Sequence, residues 1–360
     1  MPKPPPRPVA KAALAYRRLA WRALDRLLPP EAAMWEHSMS FARTRMLGAL
    51  TEHGVIDALA EGPATAEQLA DRLGLNADAL HRVLRATAVH GVVRLGRRGR
   101  FRLGYTGRAL RADHPRSLRS WILYLNRPAT QEAWGAVADT LRTGKPSFPA
   151  THGRSVWEHL AAHPEEEREF ADSMQRLTKL SLPSIARRYP WPEDGTVCDV
   201  AGGVGTLLAG ILGARPRLRG VLVDGPGVLG EAEGFLAGAG VRDRVTLSEG
   251  NMFERVDAWA DVYTLKDVLH DWDDERCLTI LRTVREAMPA GARLVLLESL
   301  QEPNELESIG SLIDVHMLTQ CDGGRQRSAA ELHELMRRCG IEPGKVRLTE
   351  QIALVEGVAA

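Results

Sequence analysis

The sequence predicts an α/β protein: a doubly wound, mostly parallel sheet with an antiparallel edge hairpin, preceded by a mostly α-helical region that contains a winged helix. Three observations predict this architecture. An apolar run at 197–200 ends in a cluster of glycines, strands and helices alternate from Thr196 onward, and two helical segments within 65–90 precede a short hairpin. Strands that alternate with helices favour a parallel sheet with right-handed crossover connections.

Composition narrows the class of protein. The chain has 360 residues, 44% hydrophobic and 26% charged, with a formal net charge of +1. This length allows two domains with a large core, and the balanced charge gives no reason to expect a polyanionic partner. No apolar run approaches the ~20 residues that a membrane span needs. The four cysteines form no Cys-x-x-Cys pair, so we predict a cytoplasmic protein with reduced thiols and no membrane partner.

The amino-terminal third contains the winged-helix pattern. Residues 1–12 are rich in proline and are predicted to be disordered. Thr65, with Gln68 three residues later, predicts a capped helix that ends at Gly74. A second helix and two short strands follow, over 76–90, 92–95 and 100–103.

A winged helix has two alternative uses. In DNA binding, 76–90 would be the recognition helix and the arginine-rich turn 97–100 the wing. The helix is rich in apolar residues, which leaves few side chains for base edges. We therefore favour a structural or dimerising domain over 13–115, without a nucleic-acid partner. Residues 116–190 form a helical linker region, and a turn cluster at its end marks a domain boundary.

The part from residue 191 to 360 carries the α/β pattern. Five apolar runs predict strands over 196–200, 219–223, 244–248, 261–265 and 292–298. Two later runs, 345–349 and 352–356, are close enough to pair as an antiparallel hairpin. Ligands of such sheets bind outside the carboxyl ends of the strands, so residues that follow the strands are the candidates for a site.

The first strand leads into the most informative motif. Asp199 precedes Gly202, Gly203 and Gly205, and the second strand ends at Asp224. Missing Cβ atoms let a ligand approach the amides that open the next helix, and an acid after the second strand can hold a ribose diol. The dinucleotide fingerprint requires a third glycine where this chain has Leu208. The motif therefore looks more like the S-adenosylmethionine site of class I methyltransferases.

Further along the chain the resemblance becomes specific. The fourth strand is followed by Lys266, Asp267, Val268, Leu269, His270, Asp271 and Trp272. This Lys-x-x-Leu-His-Asp-Trp segment, in its place among the other strand ends, resembles the plant caffeate-type small-molecule O-methyltransferases and their bacterial natural-product and polyketide relatives. The resemblance covers nearly the whole chain. It implies a Rossmann-like class I methyltransferase fold, a homodimer, S-adenosylmethionine as cofactor, and an aromatic acceptor from secondary metabolite or antibiotic biosynthesis.

The resemblance also implies roles for residues that would hold the cofactor. Gly202 would lie under the methionine part of S-adenosylmethionine, within the loop formed with Asp199 and Gly203. Asp224 would hold the ribose hydroxyls. Asn251 and Met252 would flank the adenine. Lys266 would lie beside the ribose and carboxylate end of the cofactor. Asn251 replaces the family's more usual Asp, and its amide can still bond the exocyclic amine.

His270 matches the family's catalytic base. A neutral phenol, with a pKa of ~10, is a poor nucleophile, and an imidazole with an ordinary pKa of ~6.5 is uncharged at neutral pH and can take its proton. Glu298, at the end of the fifth strand, matches the carboxylate that orients this histidine and favours its protonated form. Asp271 adjoins the base and is a further catalytic candidate.

Three residues are candidates for the substrate side. Met174 resembles the family's methionine beside the methyl-transfer site, and His316 lies on an apolar helical stripe that faces the core or the substrate pocket. Gln326 occupies the place of the plant family's second carboxylate against His270, which it could bond but not stabilise as a cation. We expect no metal. An ion shared by His270 and His316, as in the family's α-keto-acid C-methyltransferases, stays an alternative, as do N-methylation and cofactor binding with altered chemistry.

Overall fold

The computed structural model describes residues 7–302 and 308–360. Contacts divide the chain into two compact units. The first extends to Gln131 and includes His163–Leu177, and the second comprises Glu132–Ala162 and Thr178–Ala360. The predicted helical linker, 116–190, is therefore shared between the units. Among the described helices, none combines the length and apolar character needed to cross a membrane.

The first unit contains the helical region and the winged-helix hairpin. Its elements up to the first hairpin are α1 Arg7–Asp25, α2 Pro30–Ser38, α3 Ser40–Glu52, α4 Val55–Glu61, α5 Ala66–Leu73, α6 Ala77–Val89, β1 Val93–Leu95 and β2 Phe101–Leu103. The Thr65–Gln68 capping box and the left-handed Gly74 at the end of α5 are both present, as predicted. The hairpin pairs Val93 with Leu103, and Phe101 is fully buried among the helices of this unit.

The start of α1 corrects the prediction for the amino terminus. Residues 1–6 lie outside the described residues, but Arg7 already begins a helix, so 7–12 are helical rather than disordered. The alanines, lysine and arginines after Pro8 have high helix propensity, and a proline is tolerated in the first turn of a helix. Pro8 is therefore compatible with a helix that begins at Arg7.

Helices dominate the middle of the chain. They are α7 Arg119–Asn126, α8 Pro128–Gly135, α9 Val137–Thr143, α10 Ser147–His152, α11 Val156–Ala162 and α12 Pro164–Arg188. The last of them carries three glutamates in its first turn and two arginines in its last. This distribution complements the helix dipole at both ends.

The second unit is built on a seven-stranded sheet. Its strands are β3 Asp194–Val200, β4 Arg217–Asp224, β5 Val245–Glu249, β6 Val262–Lys266, β7 Arg293–Glu298, β8 Ile341–Leu348 and β9 Ala353–Ala359. They lie in the order β5-β4-β3-β6-β7-β9-β8, with the first five parallel and β9 antiparallel to both of its neighbours. The predicted fold class is confirmed.

Five helices of the second unit follow the strands. They are α13 Thr206–Ala214, α14 Pro226–Gly238, α15 Asp274–Ala287, α16 Ser308–Gln320 and α17 Ala329–Arg338. Two clusters of buried apolar side chains form the core of this unit. Its helices and its sheet both contribute to them. In the sheet, β4 and β5 lie on one side of β3, and β6 and β7 lie on the other. The strand order therefore reverses at β3, which is the topological switch point of the sheet. Ligands of open α/β sheets bind at such a point.

The edge hairpin is longer than predicted. The sequence predicted strands at 345–349 and 352–356, whereas β8 begins at Ile341 and β9 ends at Ala359. Pro343 and Gly344 lie before the first predicted strand. The structure accommodates them in the edge strand, at a register shift between Pro343 and Val346. Proline is tolerated there because an edge strand leaves one row of amides unpaired.

Candidate active site

The loop after β3 forms a cradle of glycines. Gly203 and Gly205 have φ values of 60° and 83°, a left-handed conformation that favours glycine. A Cβ on Gly202 would lie only 2.6 Å from Oδ2 of Asp199. A side chain at Gly202 would therefore fill the space beside this carboxylate.

Of the two carboxylate oxygens of Asp199, one has a hydrogen-bond partner among the described residues and the other has none. Oδ1 accepts a hydrogen bond of 2.7 Å from the Thr264 hydroxyl, while Oδ2 is buried and has no partner among the described residues. Burial raises the pKa of Asp199 to about 6, and the bond from Thr264 partly opposes this. A buried carboxylate oxygen beside a glycine cradle fits a ligand that carries a cationic donor, such as the ammonium of S-adenosylmethionine.

Asp224 ends β4 beside the same loop. Its two oxygens accept hydrogen bonds of 2.8 Å from the backbone N–H groups of Gly203 and Gly225. Burial raises the pKa of Asp224, and these two bonds oppose the shift. Each carboxylate oxygen has two acceptor sites, so Asp224 can hold the loop and still accept from two hydroxyl groups of a ribose.

The other predicted cofactor residues lie at neighbouring strand ends. Asn251 is exposed and donates to Glu254 at 2.9 Å, and its carbonyl accepts from the Phe253 N–H at 3.0 Å. The side-chain oxygen of Asn251 keeps a second acceptor site, which could accept from the exocyclic amine of adenine. Met252 packs partly buried against the core of this unit. Lys266 ends β6 with its ammonium paired to the carboxylate of Asp267.

His270 and Glu298 form a hydrogen-bonded pair at the ends of β6 and β7. Nδ1 of His270 lies 2.6 Å from Oε2 of Glu298. Oε1 of Glu298 accepts from the backbone N–H groups of Leu269 at 2.9 Å and Val268 at 3.2 Å. An ionised carboxylate can only accept, so Nδ1 carries the hydrogen and Nε2 is left as the basic nitrogen of the neutral ring.

Asp271 lies on the other side of the imidazole. Its Oδ1 is 3.5 Å from Nε2 of His270. Burial lowers the pKa of His270, but the charges of Glu298 and Asp271 outweigh it and raise the pKa well above 6.5. The shift has the direction that a carboxylate favouring the protonated ring produces. A raised pKa makes His270 a stronger base, and only its deprotonated form can accept a proton.

Asp271 has a perturbed pKa of its own. Burial raises the pKa of Asp271 to about 7, and the neighbouring His270 opposes the shift. The Sγ of Cys321 lies 3.7 Å from Oδ1 of Asp271. Asp271 is therefore a second carboxyl group beside this histidine, in addition to Glu298.

A buried arginine fixes the backbone around the histidine. Arg327 donates to the carbonyl oxygens of Leu269 at 2.7 Å and Trp272 at 2.8 Å, and it pairs with Asp274 at 2.8 Å. Gly324 lies so near that a Cβ there would be 2.9 Å from the His270 carbonyl oxygen. Sequence reasoning missed Arg327, and its only signal was its place in the Gly-Gly-Arg-Gln-Arg segment.

The three substrate-side candidates differ in what surrounds them. His316 is buried on α16, and its Nδ1 accepts from the Trp134 indole N–H at 3.1 Å. Burial, followed by the nearby His270, lowers the pKa of His316 to about 4, so this ring is uncharged at neutral pH. Gln326 donates its backbone N–H to Asp314 at 2.7 Å. Met174 lies on α12 in the first unit, and its place beside an acceptor stays a prediction.

One group of side chains in the described residues has metal-ligand geometry. Asp267, His270 and Glu298 offer ligand atoms that all lie within 4.8 Å of one another. His316, which the alternative metal hypothesis required, is not part of this group. Asp267 has a φ of 53°, uncommon for a residue other than glycine, and it is already paired with Lys266.

Comparison with known proteins identifies the family. Residues 134–342 match the O-methyltransferase domain, and residues 35–111 match the O-methyltransferase dimerisation domain. The chain is similar to O-demethylpuromycin-O-methyltransferase of Streptomyces alboniger, with 36% identity over 85% of this chain and 82% of the relative. It is also similar to aclacinomycin 10-hydroxylase RdmB of Streptomyces purpurascens, with 36% identity over 80% of this chain and 78% of the relative.

The structure of one relative has been solved with S-adenosylmethionine bound. The O-methyltransferase NcsB1 from neocarzinostatin biosynthesis, in complex with S-adenosylmethionine and 2-hydroxy-5-methyl naphthoic acid, aligns with a TM-score of 0.76 and 32% identity, over 88% of this chain and 96% of that chain. The class I methyltransferase fold with a dimerisation domain is thus shared with solved relatives. The chain belongs to the O-methyltransferase family, and it is an S-adenosylmethionine-dependent enzyme of that family.

Proposed function

We propose that this enzyme methylates a phenolic hydroxyl of an aromatic natural-product intermediate, with His270 as the general base. The hydrogen-bonded pair of His270 and Glu298 carries this proposal. The pair lies at the carboxyl ends of β6 and β7, on the same edge of the sheet as the glycine loop that follows β3. Cofactor cradle and base are therefore held by neighbouring strands.

Each residue of the site has a chemical task. S-adenosylmethionine, when bound, supplies an electrophilic methyl group. Nε2 of His270 takes the proton of the acceptor hydroxyl, since Nδ1 donates to Glu298. Glu298 stabilises the imidazolium that results, and Asp271 adds negative charge on the other side of the ring. Holding the reactants together supplies a further share of the rate. Met174, His316 and Gln326 are proposed to contact the acceptor.

Isotope labelling tests the reaction type. Enzyme incubated with ¹³C-methyl S-adenosylmethionine and a panel of hydroxylated naphthalenes is expected to yield labelled aryl methyl ethers, identified by carbon NMR. A label on nitrogen or ring carbon in acceptors that offer those atoms would contradict O-methylation. The heat-denatured enzyme is the control for non-enzymatic methylation.

Altered chemistry is the second candidate, because RdmB is named as a hydroxylase and is 36% identical to this chain. In that case an acceptor would be consumed without any labelled methyl product. Product mass spectrometry on the same panel separates the two candidates. Loss of activity in a chelator, restored by a divalent metal, would favour the group of Asp267, His270 and Glu298 as a metal site.

Cofactor affinity is predicted to depend on Asp224. In Asp224→Ala the ribose hydroxyls would lose charge-assisted hydrogen bonds, and the amides of Gly203 and Gly225 would lose their acceptor. We expect a loss of about 2–3 kcal/mol, or roughly 30- to 150-fold in the Kd of S-adenosylhomocysteine by calorimetry. Glu193→Ala, an exposed acid before β3 that is paired with Arg217, is the control. Unchanged affinity in Asp224→Ala would place the cofactor elsewhere.

We also propose that the chain is a homodimer. Large apolar side chains are exposed on α2 and α3, among them Trp35 at 75% and Phe41 at 68% exposure, and both lie in the matched dimerisation domain. Exposed apolar patches of this kind mark interfaces between chains.

We propose that the enzyme works in the cytoplasm. The four cysteines are buried and unpaired, as expected for a protein of a reducing compartment.

Light scattering at micromolar concentration is expected to report twice the chain mass of 39.6 kDa. The double variant Trp35→Glu, Phe41→Glu should shift the mass toward the monomer because it places charges in an apolar interface. Leu141→Glu, at an exposed apolar residue outside that domain, is the matched control. A monomeric wild type would contradict the proposal. Salt-dependent binding to a defined DNA duplex would favour the alternative use of the winged helix in DNA binding.

A further inference from the structure

The side chain of Gln326 is buried without a hydrogen-bond partner. Its exposure is 5%, and neither Nε2 nor Oε1 bonds to any described residue. Buried polar groups in folded proteins almost always have partners. An apolar side chain of similar size would fill the same space without this penalty, so the amide requires an explanation other than packing.

The chain places Gln326 next to the catalytic segment. Arg327, which follows it, binds the carbonyl oxygens of Leu269 and Trp272. Gly324, two residues before it, lies against the backbone of His270. The backbone N–H of Gln326 donates to Asp314 on α16. Gln326 is thus held at the junction of the catalytic segment and the helix that carries His316.

The histidine does not use this amide. Nδ1 of His270 is bonded to Glu298, and the side chain near Nε2 is that of Asp271. Gln326 makes no hydrogen bond to this histidine in the described structure. Its donor and its acceptor are both left for a ligand.

We propose that Gln326 determines acceptor specificity: its amide pairs with a group that offers a donor and an acceptor together, on the ring position next to the methylated hydroxyl. This inference rests on the proposed function and assigns the acceptor class. A primary amide presents a donor and an acceptor side by side. A neutral carboxamide or lactam satisfies both, whereas a carboxylate satisfies only the N–H groups. The acceptor class is thus a phenol with an adjacent amide-type substituent.

The groups bonded at Gln326 and at the next residue favour a neutral partner over an anionic one. The backbone N–H of Gln326 is paired with the carboxylate of Asp314. Arg327 is committed to Asp274 and two carbonyl groups. A carboxylate beside Gln326 would therefore meet the negative charge of Asp314, while the guanidinium of Arg327 already has its partners.

Three naphthalene acceptors that differ in one group test the proposal. They are 3-hydroxy-2-naphthamide, 3-hydroxy-2-naphthoate and 2-naphthol. Calorimetry with S-adenosylhomocysteine present is expected to show that the wild-type dimer binds the amide about 10- to 100-fold more tightly than 2-naphthol, because two hydrogen bonds are gained. In Gln326→Met this preference should fall to less than about threefold. An unchanged preference in Gln326→Met, or an amide that binds no better than 2-naphthol to the wild type, overturns the proposal.

The variant Gln326→Glu tests the hydrogen-bond donor of Gln326 separately from its acceptor. A carboxylate at this position accepts but does not donate, so it keeps part of the affinity for the amide and repels the naphthoate. The naphthoate is expected to bind Gln326→Glu at least tenfold more weakly than the wild type. Equal binding of the naphthoate to both proteins overturns the proposal, because the group next to the hydroxyl would then lie elsewhere.

Thermal unfolding distinguishes a role of Gln326 in acceptor specificity from a role in stabilising the fold. If the amide has no partner in the folded chain, the Tm of unliganded Gln326→Met should equal or exceed that of the wild type. A Tm lower by more than about 3 °C would show that the amide has a structural role, which overturns the proposal. The binding measurements do not require methyl transfer. Failure of all phenols as methyl acceptors would therefore refute the proposed function while the binding preference still decides the role of Gln326.

Discussion

Replacing His270 with alanine is expected to lower the turnover of methyl transfer about 10²- to 10⁴-fold at neutral pH. The side chain removed is the one whose Nε2 is free to take the acceptor proton while Nδ1 is bonded to Glu298. The Kd of S-adenosylmethionine should change little, because no hydrogen bond of His270 reaches Asp199 or Asp224 in the described structure. Turnover under saturating cofactor and calorimetry on the same preparation measure the two quantities.

The pH dependence separates base catalysis from a loss of structure. Glu298 and Asp271 raise the pKa of His270 above 6.5, and only the deprotonated ring can take a proton. Wild-type kcat/KM should therefore fall as pH decreases, with an apparent pKa above 6.5 on its acid side. The variant should approach the wild type as pH nears the acceptor's own pKa, since a phenolate that is already ionised needs no base.

Two results would contradict the assignment of the base. One is full activity of His270→Ala at neutral pH on an accepted phenol. The other is a fold-reduction that stays constant from neutral pH to the pKa of the phenol, which would indicate misplacement of the substrate. His90→Ala, an exposed position at the end of α6, controls for the general effect of losing a histidine.

Local sequence rules predicted most of the fold. The capping box of Thr65 and Gln68, the stop at Gly74 and the five parallel strands depend on neighbours along the chain or on hydrophobic alternation. The glycine loop could be predicted for the same reason, because its backbone conformations need residues without a Cβ. The helix start at Arg7 and the extension of β8 through Pro343 could not, because proline is permitted in a first helical turn and in an edge strand.

The sequence identified the charged neighbours of His270 but could not give the distances between them. The raised pKa of His270 depends on two carboxyl-type groups that reach it from opposite sides, one adjacent in sequence and one 28 residues away. Asp271 comes within 3.5 Å of Nε2 of the histidine, whereas the side chain of Gln326 makes no hydrogen bond to a described residue. Arg327 binds the backbone of the same segment, and an arginine in a loop gives no sequence signal of that task.

Exchanging Glu298 for glutamine is expected to lower turnover by about 10²- to 10⁴-fold as well, although the shape of the side chain is nearly unchanged. Oε1 of Glu298 accepts from the amides of Val268 and Leu269, so the oxygen of the new amide must stay on that side. The NH₂ group then faces Nδ1 of His270. Two donors cannot share one bond, so the ring hydrogen moves to Nε2, and the nitrogen that should accept the proton is blocked.

The pH profile distinguishes this mechanism from simple destabilisation. Loss of the Glu298 charge removes a cause of the raised pKa of His270, so the acid side of the kcat/KM profile should move to lower pH while the plateau falls. Asp271→Asn also removes a charge near the ring, but it leaves Nδ1 bonded to Glu298. It should therefore show the same direction of shift with a much smaller drop in plateau. A Glu298→Gln profile that keeps the wild-type acid limb, or a plateau no lower than that of Asp271→Asn, would show that Glu298 does not set the tautomer of the base.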